Sequence, residues 1–123
     1  MSENEISKII LDNAFKVHSA LGPGLLENVY KSCLALELKE AGLKVETEKS
    51  MPLIYKSIQL DCGYRIDILV NEKVIIELKT VEALSDIHAA QILTYMRLAG
   101  CKLGLLLNFN TKSLKDGIKR FIL

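Results

Sequence analysis

The chain has 123 residues, half of them apolar and a quarter charged, with a formal net charge of +1. Such a length suits one domain over 1–123 and is short for two, and so large an apolar share excludes a disordered chain. A balanced charge excludes a strong overall pull on a polyanion, so a nucleic-acid surface would have to be local; the C-terminal Lys112, Lys115, Lys119 and Arg120 are the best group for one, with a solubilising tail as the simpler account of them.

Taken in chain order, Ile6, Ile9, Ile10, Asn13, Val17 and Ala20 follow a helical period and predict an amphipathic helix over about 3–20. Gly22-Pro23-Gly24 breaks it. This is not a phosphate loop, because no Gly-Lys-Ser/Thr follows and no strand precedes. A second helix is predicted from Leu25 to Ala41, with Gly42 as its stop. Val45, Met51–Tyr55 and Ile58–Leu60 are short strand-like pieces. Two stronger strands follow, Tyr64–Val70 and Val74–Lys79. Ser85 can cap a third helix over Asp86–Ala99, and Leu103–Leu107 is the continuous apolar run of a buried strand. Ser113–Leu123 fits a short helix or another strand. The order predicts an α/β domain with a central mixed sheet flanked by helices.

Cys33, Cys62 and Cys101 are odd in number, widely spaced and without a Cys-x-x-Cys pair. That argues against a zinc knuckle or a disulfide framework and predicts three reduced thiols in a cytoplasmic protein. The opening Met1–Glu5 is acidic and polar, unlike a signal peptide. No apolar run is long enough to span a bilayer, so no membrane partner is expected.

The two stronger strands carry the chemistry. Asp67 lies between Ile66 and Ile68, and Glu77 between Ile76 and Leu78. A two-residue turn would put the acids on opposite faces. A three-residue loop, Asn71–Lys73, pairs Asp67 with Glu77, Ile68 with Ile76, Leu69 with Ile75, Val70 with Val74 and Ile66 with Leu78. This register is preferred because every apolar residue meets an apolar partner. Two carboxylates roughly 5 Å apart at Cβ repel unless a proton or cation intervenes. A hard ion, Mg²⁺ or Mn²⁺, would relieve them, and Lys79, on the same face as Glu77, could stabilise phosphate charge or orient a water. A solvent-facing charged stripe is the plain alternative; the apolar flanks, which suggest a hairpin covered on both faces, weigh against it. In the third helix, His88, Gln91 and Tyr95 share a face.

Asp67, then Glu77-Leu78-Lys79, then Gln91-Ile92-Leu93-Thr94-Tyr95 resembles the motif order of RecB-type nucleases in the PD-(D/E)XK superfamily. Leu21-Gly22-Pro23-Gly24-Leu25-Leu26-Glu27-Asn28-Val29-Tyr30, with Leu103–Phe109 and Gly117–Arg120, resembles the GxxExxY family within it. The resemblance covers nearly the whole chain, although Ile66 rather than proline precedes Asp67. It implies a restriction-endonuclease-like core, a metal held by Asp67, Glu77 and the Leu78 carbonyl, and Lys79 assisting the hydrolytic water. It suggests that Glu27 completes the acidic set and that Gln91 and Tyr95 line the site and touch nucleic acid. The helix dipole alone is reason enough for Glu27 at its position. Tyr30 shares the Glu27 face and can pack beneath the site. His18 and His88 stay open as ligands, a lone helical histidine being more often packed. The expected activity is Mg²⁺- or Mn²⁺-dependent hydrolysis of nucleic acid, DNA before RNA, by in-line attack on phosphorus; the alternative is a nuclease-like module that binds nucleic acid or a protein without cutting. A homodimer or partner protein could supply the basic surface that the chain lacks.

Overall fold

A computed structural model of the chain describes residues 1–61 and 63–123. Cys62, one of the three thiols expected to be reduced, lies outside the described residues; Cys33 and Cys101 are free. Helix α1 (Glu3–Leu21) begins at Ser2, whose hydroxyl accepts the Glu5 N–H while the Glu5 carboxylate accepts the Ser2 N–H in return. It ends at Gly22, at φ 69°, whose N–H donates to the His18 carbonyl over 2.8 Å. Then come α2 (Glu27–Glu40), β1 (Val45–Ser50), β2 (Leu53–Tyr55), β3 (Ile58–Leu60), β4 (Arg65–Val70), β5 (Val74–Lys79), α3 (Asp86–Ala99) and β6 (Leu103–Asn108). The tail, which fitted helix or strand, holds both: a 3₁₀ turn at Leu114–Gly117, then β7 (Ile118–Ile122).

Five strands form one mixed sheet in the order β1-β4-β5-β6-β7. β5 and β6 are parallel, joined through α3, and the other neighbours are antiparallel. The pieces β2 and β3 pair only with each other and stand apart from this sheet. Ile54, Tyr55, Ile58, Gln59 and Leu60 are all exposed, so their apolar alternation marks no core face.

Both faces of the sheet are covered. Ile6 and Ile10 of α1 and Leu34 and Leu38 of α2 pack against Ile68, Ile76, Leu105 and Leu107. Ile92 and Met96 of α3 pack against Leu69, Ile75 and Leu106 on the other side. This explains why the strand residues are apolar in unbroken runs rather than in alternation. Gly104 interrupts the β6 run for a spatial reason: a Cβ there would lie 2.6 Å from Met96 Sδ and 3.1 Å from Ile92 Cδ1. α3 therefore sits directly on the β6 backbone. None of the described helices is long and apolar enough to cross a membrane.

The β4–β5 loop is the three-residue Asn71–Lys73, and Ile68–Ile76, Leu69–Ile75 and Val70–Val74 pair as expected. The ladder stops there. The expected Asp67–Glu77 and Ile66–Leu78 pairs are absent from it, because side chains take the amides that would continue it. The Asp67 N–H donates to Glu77 Oε2 at 2.8 Å, and the Leu78 N–H to Asp67 Oδ2 at 2.9 Å. The inside–outside alternation of β4 slips at the same point: Ile66 packs with Leu69 on the α3 side, whereas Ile68 packs under α1 and α2.

Gly104→Val should push α3 off the sheet and cost about 2 kcal/mol, typical of an overpacked core. Urea unfolding monitored by circular dichroism checks this, with a lowered midpoint and unchanged slope expected.

Candidate functional site

The site lies where β4 and β5 part, between α2 and α3. Glu77 is 4% exposed. Burial, and then the charge of Asp67, push its carboxyl up to about 8. The Asp67 carboxyl is also raised, by burial, against the pull of the Leu78 N–H and the Lys31 ammonium. Glu77 Oε2 and Asp67 Oδ2 are taken by amides. Their other oxygens accept no hydrogen bond from the described residues, and Asp67 Oδ1 lies 3.5 Å from Lys31 Nζ. Two buried acids placed this way repel one another unless a proton or a cation intervenes.

Lys31 is the residue that sequence reasoning missed. It sits one helical turn after Glu27 in α2, its side chain only 12% exposed, ion-paired to both Asp67 and Glu48. Burial lowers its ammonium, but the Glu48 bond and the charges of Asp67, Glu48 and Glu27 outweigh this and raise it. The i, i+4 spacing of Glu27 and Lys31 was a usable signal, but nothing in the sequence tied that face to Asp67. Glu48 adopts a positive φ of 52° opposite the point where β4 slips.

Glu27 heads α2, half-buried. Burial and then Asp67 raise its carboxyl, while Lys79 and Lys31 lower it, so it shares the field of the two acids. Tyr30 fixes its approach. The fully buried Tyr30 donates its hydroxyl to the Gly22 carbonyl at 2.5 Å, accepts the Leu25 N–H at 3.1 Å, and stacks on Phe109 with centroids 4.7 Å apart. The Gly22–Gly24 turn is thus tied to the helix it precedes.

Lys79 follows on β5. Its ammonium donates to Gln91 Oε1 at 3.2 Å, and Gln91 Nε2 lies 3.5 Å from Tyr95 Oη. Lys79, Gln91 and Tyr95, which the motif resemblance grouped, thus form one chain of contacts, and His88, read on the same helix face, bonds to Ser85 instead. Burial and then Glu77 raise the Tyr95 hydroxyl. The loop that turns the chain from β5 into α3 is latched by the buried Asn108, which accepts the Val81 N–H at 3.2 Å and donates to its carbonyl at 2.9 Å. Its backbone is close-packed in turn: a Cβ on Gly117 would collide with the Asn108 carbonyl oxygen.

Other candidates stay away. His18 is buried near Phe109, with ring centroids 6.1 Å apart, and its Nε2 donates to the Thr111 carbonyl at 2.8 Å. His88 Nδ1 accepts the Ser85 N–H at 3.1 Å, capping α3. Lys119 and Arg120 lie exposed on β7, two strands from β5. Lys119 pairs with Leu106, level with Glu77, whereas Arg120 reaches Asn4 of α1 on the opposite face. The two do not form one basic patch with the acids.

Carboxylate oxygens are the donors that a hard divalent ion takes. Among the described residues, no three His, Cys, Asp or Glu side chains form a ready metal cluster. Asp67 and Glu77 could hold such an ion together with a main-chain carbonyl.

The raised Glu77 carboxyl has a signed consequence for the metal-free protein. Between about pH 4.5 and 8 the folded state keeps a proton that the unfolded chain has lost, so stability falls as pH rises through that window and levels off above it. Glu77→Gln should remove most of this slope and melt roughly 5 °C or more above wild type at pH 8.5 in EDTA. Melting curves from pH 4 to 9 provide the check.

A family model described as the PD-(D/E)XK nuclease superfamily matches residues 4–121. A search of curated proteins finds no match. Among solved structures, one titled "Crystal structure of SSO0001" is similar, with 16% identity and a TM-score of 0.45. The likeness covers 94% of this chain, which spans 63% of the length of that one.

Proposed function

We propose a function on one premise: the chain belongs to the PD-(D/E)XK nuclease superfamily. Its site is a divalent-metal phosphodiesterase that hydrolyses nucleic acid, DNA ahead of RNA. One observation carries this: Asp67 and Glu77 are held against one another by crossed bonds to backbone amides, with Lys79 next along the same strand. Asp67, Glu77 and the Leu78 carbonyl would hold Mg²⁺ or Mn²⁺, which when bound supplies a Lewis acid for the phosphoryl group and acidifies the hydrolytic water. Lys79 offers a positive charge to the phosphoryl oxygens as negative charge builds on them, and Gln91 orients its ammonium. Gln91 and Tyr95 position the strand to be cut. Glu27, with its raised carboxyl, can carry a proton beside the two ligands. Gly24, Glu27 and Tyr30 support membership of the GxxExxY family: the glycine makes the turn, the tyrosine ties it down, and the glutamate stands at the edge of the site.

A module that binds without cutting is the second reading. Lys31 favours it, since its ammonium offsets part of the Asp67 charge from 3.5 Å.

Digestion of supercoiled plasmid and of circular single strands separates the two. An enzyme cuts with Mg²⁺ or Mn²⁺, stops in EDTA, and loses roughly 100-fold or more in Asp67→Ala and in Lys79→Ala. Calorimetric titration with Mn²⁺ then sorts the roles: the heat should vanish in Asp67→Ala and persist in Lys79→Ala. Binding without cutting selects the module, equal cutting by all three proteins marks contamination, and no heat with wild type removes the metal site.

A further inference from the structure

A cleft of about 490 Å³ opens between α3 and the β2–β3 hairpin, beside the site and on the Gln91 side of Lys79. Leu53, Ile87 and Leu98 give it apolar walls, and Tyr64 and Tyr95 give it two aromatic rings. Tyr95 is buried, but Tyr64 is 44% exposed and meets it edge-on, with centroids 6.3 Å apart and planes at 61°. Tyr64 therefore keeps ring surface open to an incoming planar group. His88, Gln91 and Thr94 add polar atoms along α3. Among the described residues that line the cleft there is no lysine, arginine or carboxylate.

We propose that this cleft receives an unstacked base of a single-stranded nucleic acid, next to the phosphodiester handled at Asp67, Glu77 and Lys79; this rests on the phosphodiesterase reading. Three observations carry it. Gln91 belongs both to the cleft and to the Lys79 contact, so whatever occupies the cleft is continuous with whatever lies on Lys79. A cleft with no charged lining is unsuited to phosphate, which leaves the base as the part of a nucleotide that fits. Aromatic surface with amide, imidazole and hydroxyl groups beside it is the chemistry that stacks a base and reads its edge. A base paired within a duplex cannot enter, so the cleft selects single strands.

The test is fluorescence anisotropy with short dye-labelled strands in Ca²⁺, supplied so that binding can be read without turnover. Each strand is prepared intact, with one abasic position moved along it, and as a duplex, in matched deoxy and ribo forms that report which sugar the base comes with. One abasic position should weaken binding to wild type roughly tenfold, the value of one stacked base. Tyr64→Ala should weaken the intact strand by a similar factor and should lose its sensitivity to that same position, with duplex binding unchanged. Ile87→Ser, at a 73% exposed position, repeats the experiment if Tyr64→Ala melts abnormally. Equal binding of intact strands by wild type and both variants, or no position-specific abasic effect, overturns the proposal and assigns the cleft to another ligand, such as a peptide. Failure of wild type to bind any strand overturns it as well, and the plasmid assay above reports separately whether the phosphodiesterase reading falls with it.

Discussion

Two crossed hydrogen bonds hold the centre of this molecule in its shape. Where β4 and β5 would continue as an ordinary ladder, the Glu77 carboxylate accepts the Asp67 amide and the Asp67 carboxylate accepts the Leu78 amide. Each acid compensates for the backbone bond that its strand loses, so the strands can separate without leaving amides unpaired. The separation in turn makes room for the acids. A sheet that opened here without the acids would leave bare donors in the core. The two acids are therefore part of the fold, and their burial works against their ionisation.

The rest of the domain serves to hold that opening steady. Tyr30 and Phe109 stack beneath it and tie the turn before α2 in place, bringing Glu27 and Lys31 in from one side. Asn108 latches the loop after Lys79, and Gly104 lets α3 settle on β6, bringing Gln91 and Tyr95 in from the other. Such supports lie on packed helices and strands, which position groups more tightly than free loops do.

Much of this was legible in the sequence. Periodicity placed the first two helices, the Ser85 cap placed the third, and apolar matching chose the three-residue loop and its register for the pairs next to the turn. Asp67 and Glu77 stood out because polar residues in apolar surroundings need partners, Lys79 because alternation puts it on the Glu77 face, and Gln91 and Tyr95 because they share a helix face and match a family motif. What was not legible came from contacts across distance. Pairing rules extend a ladder indefinitely and contain nothing that stops it at Ile68, since the stop depends on side chains reaching backbone across the strands. Lys31 drew no notice in the sequence, because its partners Glu48 and Asp67 lie on β1 and β4, distant along the chain. β2 and β3 carry strand-like alternation but pair only with each other, because alternation reports a preference and does not choose the partner. Lys119 and Arg120 read as a basic group by adjacency, yet adjacent strand residues face opposite ways, and Arg120 reaches α1.

That placement gives the two basic residues a role that requires no ligand. β7 is an outer strand of the sheet, as β1 is at the opposite margin. An outer strand offers unpaired amides and carbonyls to any other extended segment it meets. β7 carries Lys119 and Arg120 along that margin, and β1 carries Glu46, Glu48 and Lys49. A second strand laid against either margin would have to bury or displace these charges. The sheet is protected at both borders against uncontrolled self-association, which matters for a domain whose interior strands are almost entirely aliphatic.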